Sequence, residues 1–565
     1  MREWITAEYD RWLKYGRENQ ELIEELLEMK AQEEKIQDAL YKNLEFGTGG
    51  LRGILGAGTN RMNVYTVAKA SQGLADYVNE KFSEEQRSIA VSYDSRIHSK
   101  DFAETAAQVF AANGIQVYIY DELMPTPCLS FAVRELGCAA GVMVTASHNP
   151  GEYNGYKVYG ADGCQITTEA AKEIYEKIER NDIFTQVSQI SLEEAKDNHK
   201  VNYIPAAVYE KFLQCVQEQS VLGEKEEIDK NVSIVYSPLN GTGLKPVLDS
   251  LKRAGYGQIT VVKEQEKPDG RFPTCPYPNP EIREAMSLGM GYAKKVHADL
   301  LLATDPDCDR VGIAVVNPKG EYQLLSGNET GLLLLDYICS QKMIHAAMPE
   351  HPVLVKTIVT TDLAEKIADK YGVQTVNVLT GFKFIGEQIG LLEKEGRKSD
   401  YIFGFEESYG YLSGTYVRDK DGVNASVLIC EMFAFYKTKG VNLLDKLKEL
   451  YAEHGYCMNQ LHTYKFQGEE GMHRMENIME QLRNGAFSLK TGTIKEVLDY
   501  KTGIGNLPKS NVIKMVLENG STLVVRPSGT EPKLKIYTSI LGSDQESVKP
   551  VDEEIVRSIE KLFER

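Results

Sequence analysis

Asp305, Asp307 and Asp309 alternate over five residues directly after the apolar run Leu300-Leu-Leu-Ala-Thr304. Three carboxylates held close in a partly buried loop repel one another unless something positive sits between them, most simply a hard divalent cation with oxygen ligands. Magnesium fits best. An EF-hand is excluded, because its sixth and twelfth positions would be Gly and Glu where this chain has Arg310 and Val316. Arg310, next to the cluster, is suited to pair with a carboxylate or to reach a phosphate. A second candidate is Ser147 in Thr145-Ala-Ser-His-Asn-Pro150, where a strand of small and β-branched residues stops abruptly. Pro150 cannot donate to a ladder and the Gly and Asn that follow supply turns, so Ser147 and His148 are expected just past a strand end. In an open α/β sheet ligands bind there, although the loop alone also suits a helix cap or a hydrolase nucleophile.

Two further segments complement these. Arg526-Pro-Ser-Gly-Thr-Glu-Pro-Lys533 reads as an anion cradle: the Arg526 fork, the hydroxyls of Ser528 and Thr530, backbone N–H groups exposed around Gly529, and Lys533 nearby. Gly404-Phe-Glu-Glu-Ser-Tyr-Gly410 offers Glu406 and Ser408 for hydrogen bonds with vicinal hydroxyls, on a turn or at a helix N-terminus. Downstream, Arg418-Asp-Lys420-Asp-Gly422 reads either as a charge partner for a phosphoryl group or as a salt-bridged surface turn. Upstream, the Gly-rich Phe46-Gly-Thr-Gly-Gly-Leu-Arg52-Gly53 lets the backbone approach a ligand closely. A hydroxyl that can carry phosphate, a divalent metal, a polyol site and a separate phosphate site together describe phosphoryl transfer on a sugar phosphate. A P-loop enzyme is disfavoured, since no G-x-x-x-x-G-K-[ST] occurs and no Gly-Lys pair exists in the chain.

The elements that must position these loops alternate between strand and helix. Residues 88–96, 115–121 and the Ser147 strand form one run; 232–238, 258–264 and 298–316 a second; 351–362, 373–383 and 399–411 a third. Such alternation indicates βαβ units. After about Tyr456 the pattern turns antiparallel, with a helix over 470–484 and Asn519-Gly520 as a hairpin turn. In each block an apolar strand runs into one polar loop. Residues 1–44 read as a charged, solvated helical extension that packs on a neighbour and carries no chemistry.

With 565 residues, 42% hydrophobic and 26% charged, the chain is an ordinary multidomain globular protein. A net charge of −18 argues against nucleic acid and anionic lipid, so an anionic substrate needs a local basic cluster. Nine scattered cysteines without a C-x-x-C pair argue against a disulfide framework or a zinc site and point to a reducing compartment. With no signal-like N-terminus and no long apolar window, the expected location is the cytoplasm, without a membrane span.

TASHNP, DPDCDR, GFEES and RPSGTEP, in this order, resemble the four signature loops of the α-D-phosphohexomutases, the phosphoglucomutase and phosphomannomutase group. The likeness runs from about residue 45 to 540, and a long N-terminal helix resembles the larger phosphoglucomutase-2-like branch. It implies an α/β protein: three similar mixed-sheet α/β domains plus a smaller C-terminal α+β domain around a central active-site cleft. The expected division is a helical extension (1–44), then phosphoserine (45–210), metal-binding (211–325), sugar-binding (326–455) and phosphate-binding (456–565) domains. It also implies roles. Ser147 is the phosphoserine, and Asp305, Asp307 and Asp309 bind Mg²⁺ together with its phosphate. Glu406 and Ser408 read the sugar, and Arg526, Ser528, Gly529 and Thr530 the non-reacting phosphate. Arg52, His148, Lys157 and Arg310 line the reacting phosphate, and Lys420 or Lys383 assists proton transfer.

The implied reaction interconverts glucose 1-phosphate and glucose 6-phosphate through a phosphoserine enzyme, with glucose 1,6-bisphosphate as intermediate and activator, in a monomer or dimer. Asn240 stands where relatives commonly carry His, and Thr380-Gly-Phe-Lys383 lacks the His of some phosphomannomutases. Mannose and pentose phosphates are the alternative substrates, and a glucose 1,6-bisphosphate synthase the alternative reaction. Catalytically silent relatives lose the serine or a metal-loop aspartate; all four are present here.

Overall fold

A computed structural model describes all residues except 1, 48, 224–225, 467, 491, 506, 529–532 and 564–565, so Gly529 and Thr530 of the expected phosphate cradle lie outside the described residues. The chain forms two compact units. The first comprises Met1–Ser220, Lys230–Leu324 and Gly414–Cys430; the second comprises Val221–Asp229, Leu325–Ser413 and Glu431–Arg565. Among the described residues no helix is long and apolar enough to cross a membrane.

The first unit holds two mixed sheets. Strands β1 (Gly50–Ile54), β2 (Ser88–Tyr93), β3 (Gln116–Ile119), β4 (Ala140–Val144), β5 (Tyr153–Gly160) and β6 (Val201–Tyr203) lie in the order β1-β5-β4-β2-β3-β6. β4, β2, β3 and β6 run parallel, and β5 is antiparallel to both β4 and β1. Every residue of β4 is buried, which explains its unbroken run of small and apolar side chains. The second sheet, in the order β11-β10-β9-β7-β8, consists of β7 (Ile234–Ser237), β8 (Ile259–Val261), β9 (Leu300–Thr304), β10 (Val311–Val316) and β11 (Tyr322–Leu325). Here β7 is parallel to β8 and β9, while β10 returns antiparallel to β9.

In the second unit β12 (Val353–Thr357), β13 (Gln374–Val378), β14 (Tyr401–Glu406) and β15 (Gly410–Leu412) order as β13-β12-β14-β15, with only β14–β15 antiparallel. The last block is a fully antiparallel sheet, β16-β20-β19-β18-β17, of β16 (Tyr456–Lys465), β17 (Ile494–Asp499), β18 (Ile513–Leu517), β19 (Thr522–Pro527) and β20 (Lys533–Gly542). Helices Gly468–Arg483 and Gln545–Phe563 supply apolar side chains to its core. Gly520, at φ 83, makes the expected turn between β18 and β19.

One plan recurs through all four sheets. The polar loops read from the sequence are each the link of an antiparallel pair: Ser147 between β4 and β5, the aspartates between β9 and β10, Glu407 to Tyr409 between β14 and β15, and Ser528 between β19 and β20. Three of them force a non-glycine residue into the left-handed region, Ser147 (φ 52), Cys308 (φ 50) and Tyr409 (φ 64), where an L-residue costs roughly 1–2 kcal/mol. Such strain persists only where surrounding bonds fix it.

The expected single long N-terminal helix is corrected to three, Glu3–Tyr15, Gln20–Met29 and Glu33–Leu40. A tight turn at Gly16–Glu18 ends the first, and Asn19 starts the second by accepting the Leu22 N–H at 3.1 Å. Their outer faces are solvated as expected, but Ile5, Trp12, Leu26 and Ile36 form a core with Ala57 and Ile183 of the first block.

In the second unit, Asp362 ties the last sheet to the one before it. It accepts from Lys356 of β12 (2.8 Å), Lys514 of β18 (2.8 Å) and the Thr522 hydroxyl of β19 (3.0 Å). Burial pushes its carboxyl up, but the two lysines hold it far below the usual carboxylate range. A depressed carboxylate stabilises the fold above its unfolded pKa, so this contribution is present at neutral pH and fades as acid is added below about pH 4. Asp362→Asn leaves the fully buried Lys356 without its main counter-charge and should cost about 3 kcal/mol in denaturant unfolding. A loss under about 1 kcal/mol would mean that Glu365, 3.2 Å from Lys356, compensates.

Candidate functional site

In the first unit Ser147 and the three aspartates share one site. The Ser147 hydroxyl donates to Asp305 Oδ2 at 3.0 Å and lies 3.2 Å from His148 Nδ1. Asp305, Asp307 and Asp309 are fully buried, and each places a carboxylate oxygen within 4.8 Å of the others. The loop curls around Asp305, whose Oδ1 accepts the backbone N–H of Asp309 (3.1 Å) and Arg310 (3.0 Å).

Two lysines supply positive charge. Lys157 of β5 donates to Asp307 Oδ2 at 2.8 Å, and Lys420 lies 2.9 Å from Asp309 Oδ2. Lys420 arrives on the segment Gly414–Cys430, which follows the third sheet in the chain yet belongs to the first unit. Gly422 N–H bonds Cys308 O at 3.1 Å, and Tyr159 donates to Asp419 at 2.8 Å. These contacts bury the segment beside the aspartate loop, so it is not a solvated turn.

Electrostatics follow the geometry. Burial, then the charges of Asp309 and Asp307, push the Asp305 carboxyl well up. Burial also opposes charge on Asp307, but Lys157 and Lys420 hold its carboxyl well below the usual range. Burial, with Arg310 and Arg52 beside it, pushes His148 well down, so its imidazole is neutral at pH 7. Asp307 Oδ1 and Asp309 Oδ1 are buried and accept no hydrogen bond, which suits oxygens meant for a metal ion. The donor set, three hard carboxylates without sulfur or imidazole, fits magnesium.

Arg310 pairs with Glu281 and lies 3.9 Å from Asp309, while Arg52, on β1, is exposed and donates to Asn149 Oδ1 at 3.2 Å. The second unit gathers its own candidates. Glu406 ends β14 and accepts the Gly381 N–H at 2.9 Å, which brings Lys383, buried in the first turn of helix Phe382–Lys394, to the same corner. Thr380 Oγ1 is buried there without a partner. Ser408 lies in the β14–β15 turn, so the hairpin alternative holds over a helix N-terminus. Arg526, next to the last residue of β19, has a buried Nε without a hydrogen-bond partner, and Ser528 N–H closes onto Lys533 O at 2.7 Å.

The comparisons with known proteins match this arrangement. Domains I, II and III of the phosphoglucomutase/phosphomannomutase alpha/beta/alpha type match residues 43–183, 210–319 and 326–454, and the corresponding C-terminal domain matches 481–558. The chain belongs to the phosphoglucomutase/phosphomannomutase family. Phosphoglucomutase from Staphylococcus saprophyticus is 36% identical over 535 residues, covering 92% of this chain and 95% of that one. The phosphoglucomutase of Staphylococcus aureus strain MRSA252 is 36% identical over 556 residues, covering 96% and 97%. Among solved structures, the Paramecium phosphoglucomutase pp63/parafusin in its open form shares the fold at TM-score 0.67 and 17% identity, over 93% of this chain and 95% of that one.

For this family member the sequence reading missed the supports of the Ser147 loop. Asp94 accepts from Thr145 (2.6 Å) and Ser99 (2.7 Å), and Arg96 donates to backbone carbonyls of the loop. The signal was present, since the apolar strand 88–93 runs into the polar Asp94-Ser-Arg96 as the other blocks do. Thr126, in the first turn of helix Thr126–Glu135, donates to Asp307 Oδ2 at 2.9 Å. Asn240 is buried and donates to the carbonyls of Glu264 (3.2 Å) and Lys267 (2.8 Å).

Proposed function

We propose that this phosphohexomutase interconverts glucose 1-phosphate and glucose 6-phosphate by passing a phosphoryl group through Ser147. The observation that carries this reading is the Ser147 hydroxyl set 3.0 Å from a buried three-aspartate loop with two lysines beside it. His148 stands 3.2 Å from the Ser147 hydroxyl, as a hydrolase base would, but the hydroxyl also donates to Asp305 of a metal-type cluster, which suits a reusable phosphate carrier.

In this reading the Ser147 Oγ–P bond breaks as the phosphoryl group passes to a sugar hydroxyl, giving the 1,6-bisphosphate. The bisphosphate turns end for end, its other phosphate returns to Ser147, and nothing is consumed. Lys157, Arg52 and Arg310 neutralise the moving group, and neutral His148 orients the serine oxygen. Lys420, beside Asp309, takes or gives the proton at the sugar hydroxyl. Asp305, Asp307 and Asp309 would hold Mg²⁺, which when bound would supply positive charge to the phosphoryl oxygens. Glu406 and Ser408, with Lys383, read the sugar hydroxyls. Arg526 and Ser528, with Gly529 and Thr530, hold the phosphate that is not reacting.

A coupled assay tests the reading: glucose 1-phosphate, a trace of glucose 1,6-bisphosphate and Mg²⁺, followed by the appearance of glucose 6-phosphate. Turnover is expected to be faster with glucose than with mannose or ribose 1-phosphate. Net phosphate transfer from a separate donor, without isomerisation, would sink the mutase assignment in favour of a bisphosphate synthase.

A further inference from the structure

We propose that Arg96 is the positioning residue of the Ser147 loop, setting where the serine oxygen stands and thereby the rate of phosphoryl transfer rather than the binding of sugar phosphate. The kinetic part rests on the mutase reading; the structural part does not.

Arg96 is 3% exposed, and its guanidinium is spent on the backbone of the loop. It donates to the carbonyls of Ser147 (2.6 Å), Pro150 (2.7 Å) and Tyr153 (2.9 Å), and to that of Asn149. Four neutral acceptors around one buried cation are unusual company for an arginine; its counter-charge is Asp94, 3.3 Å from Nε. Asp94 in turn accepts the Thr145 hydroxyl at 2.6 Å, and Thr145 Oγ1 accepts the Ser147 N–H at 2.8 Å. The N–H and the C=O of Ser147 are therefore both tied to the same Asp94–Arg96 pair, by separate arms.

That is the constraint a left-handed serine needs. With φ at 52, Ser147 sits in a conformation an L-residue leaves when it is not held. The second block closes the clamp. Phe272 covers the guanidinium at 5.1 Å, and its neighbour Gly270 lies so close that an added Cβ would stand 2.3 Å from Ile97 N and 2.7 Å from the Arg96 carbonyl carbon. No lysine can replace this arrangement, because three donors on one nitrogen do not span four carbonyls as a planar fork with five does.

The test is Arg96→Lys in the full-length protein, read by kinetics and by amide exchange. Displacing the serine oxygen by about 1 Å should lower kcat roughly 100-fold, with KM for glucose 1-phosphate held within about threefold. Amides of residues 147–153 should exchange faster while those of β4 keep their protection. The proposal is overturned by a folded variant whose kcat stays within about threefold of the native value, or by exchange raised evenly through the first unit, which is what a merely structural role predicts. If Arg96→Lys does not fold, Thr145→Val cuts only the arm from Asp94 to the Ser147 N–H and should show the same local exchange and a kcat loss of about tenfold. Native protein that fails to isomerise glucose 1-phosphate would refute the mutase reading; the exchange result judges Arg96 in either case.

Discussion

Ser147→Ala should lower mutase turnover by about 10⁴- to 10⁶-fold, the scale seen when a covalent nucleophile is removed from a preorganised site. The fold should survive. Ser147 is buried, but alanine fills nearly the same space, and its cost at φ 52 equals that of serine. The backbone ties to Thr145 and Arg96 do not involve the hydroxyl. Asp305 loses one donor from Oδ2 and keeps the two amides on Oδ1, so the stability change should stay near 1 kcal/mol. Two measurements separate the outcomes. Intact-mass spectrometry should find one phosphoryl group on a peptide containing Ser147 in the native protein and none in the variant, and the coupled assay should find no turnover above a trace. Full activity in Ser147→Ala would remove this serine from the reaction, and phosphate on another peptide would move the carrier elsewhere.

What the chain disclosed beforehand, and what it withheld, divides along physical lines. The four candidate loops were legible because each ends a strand whose burial demands an apolar run, and the change to polar residues is abrupt. The strand that returns after Ser147 was not. β5 reads Tyr-Asn-Gly-Tyr-Lys-Val-Tyr-Gly, strand-forming Tyr and Val interrupted by the turn residues Asn and Gly, and it is a strand because it pairs with β4 on one edge and β1 on the other. Lys420 was named as a charge partner for a phosphoryl group, but its contact with Asp309 left no trace in the sequence, because it depends on Gly414–Cys430 joining the first unit rather than the sheet it follows. Asp94 and Arg96 passed unread for a related reason. The polar run after strand 88–93 marks a loop, but Asp94 takes the hydroxyls of Thr145 and Ser99 and Arg96 takes backbone carbonyls, and which partners they take leaves no mark in a sequence. The N-terminal break at Gly16–Glu18 was obscured by apolar residues that keep the helical period on both sides of it.

The aspartate loop yields the second large effect, one whose sign depends on the metal. Without a cation, three buried carboxylates face two ammonium groups, and Asp305, with Asp307 and Asp309 as neighbours, bears the repulsion. Mg²⁺ present at about 100 times its dissociation constant should stabilise the native protein by about 2.7 kcal/mol, seen as a rise in the thermal midpoint that a chelator reverses. Asp305→Asn keeps the shape: the amide oxygen still accepts from the backbone N–H groups of Asp309 and Arg310, and the amide nitrogen donates to the Ser147 oxygen. It removes one charged ligand, which should weaken the ion at least about 100-fold and cut its stabilisation at the same concentration to about 0.4 kcal/mol. In chelator the order should invert, because the variant no longer confines a third like charge, and Asp305→Asn should unfold at the same temperature as the native protein or higher. Turnover should fall with the metal. Equal magnesium shifts in the two proteins would show that the ion binds elsewhere, and a chelated variant far less stable than the chelated native protein would show that the Asp305 charge serves the fold and not the cation.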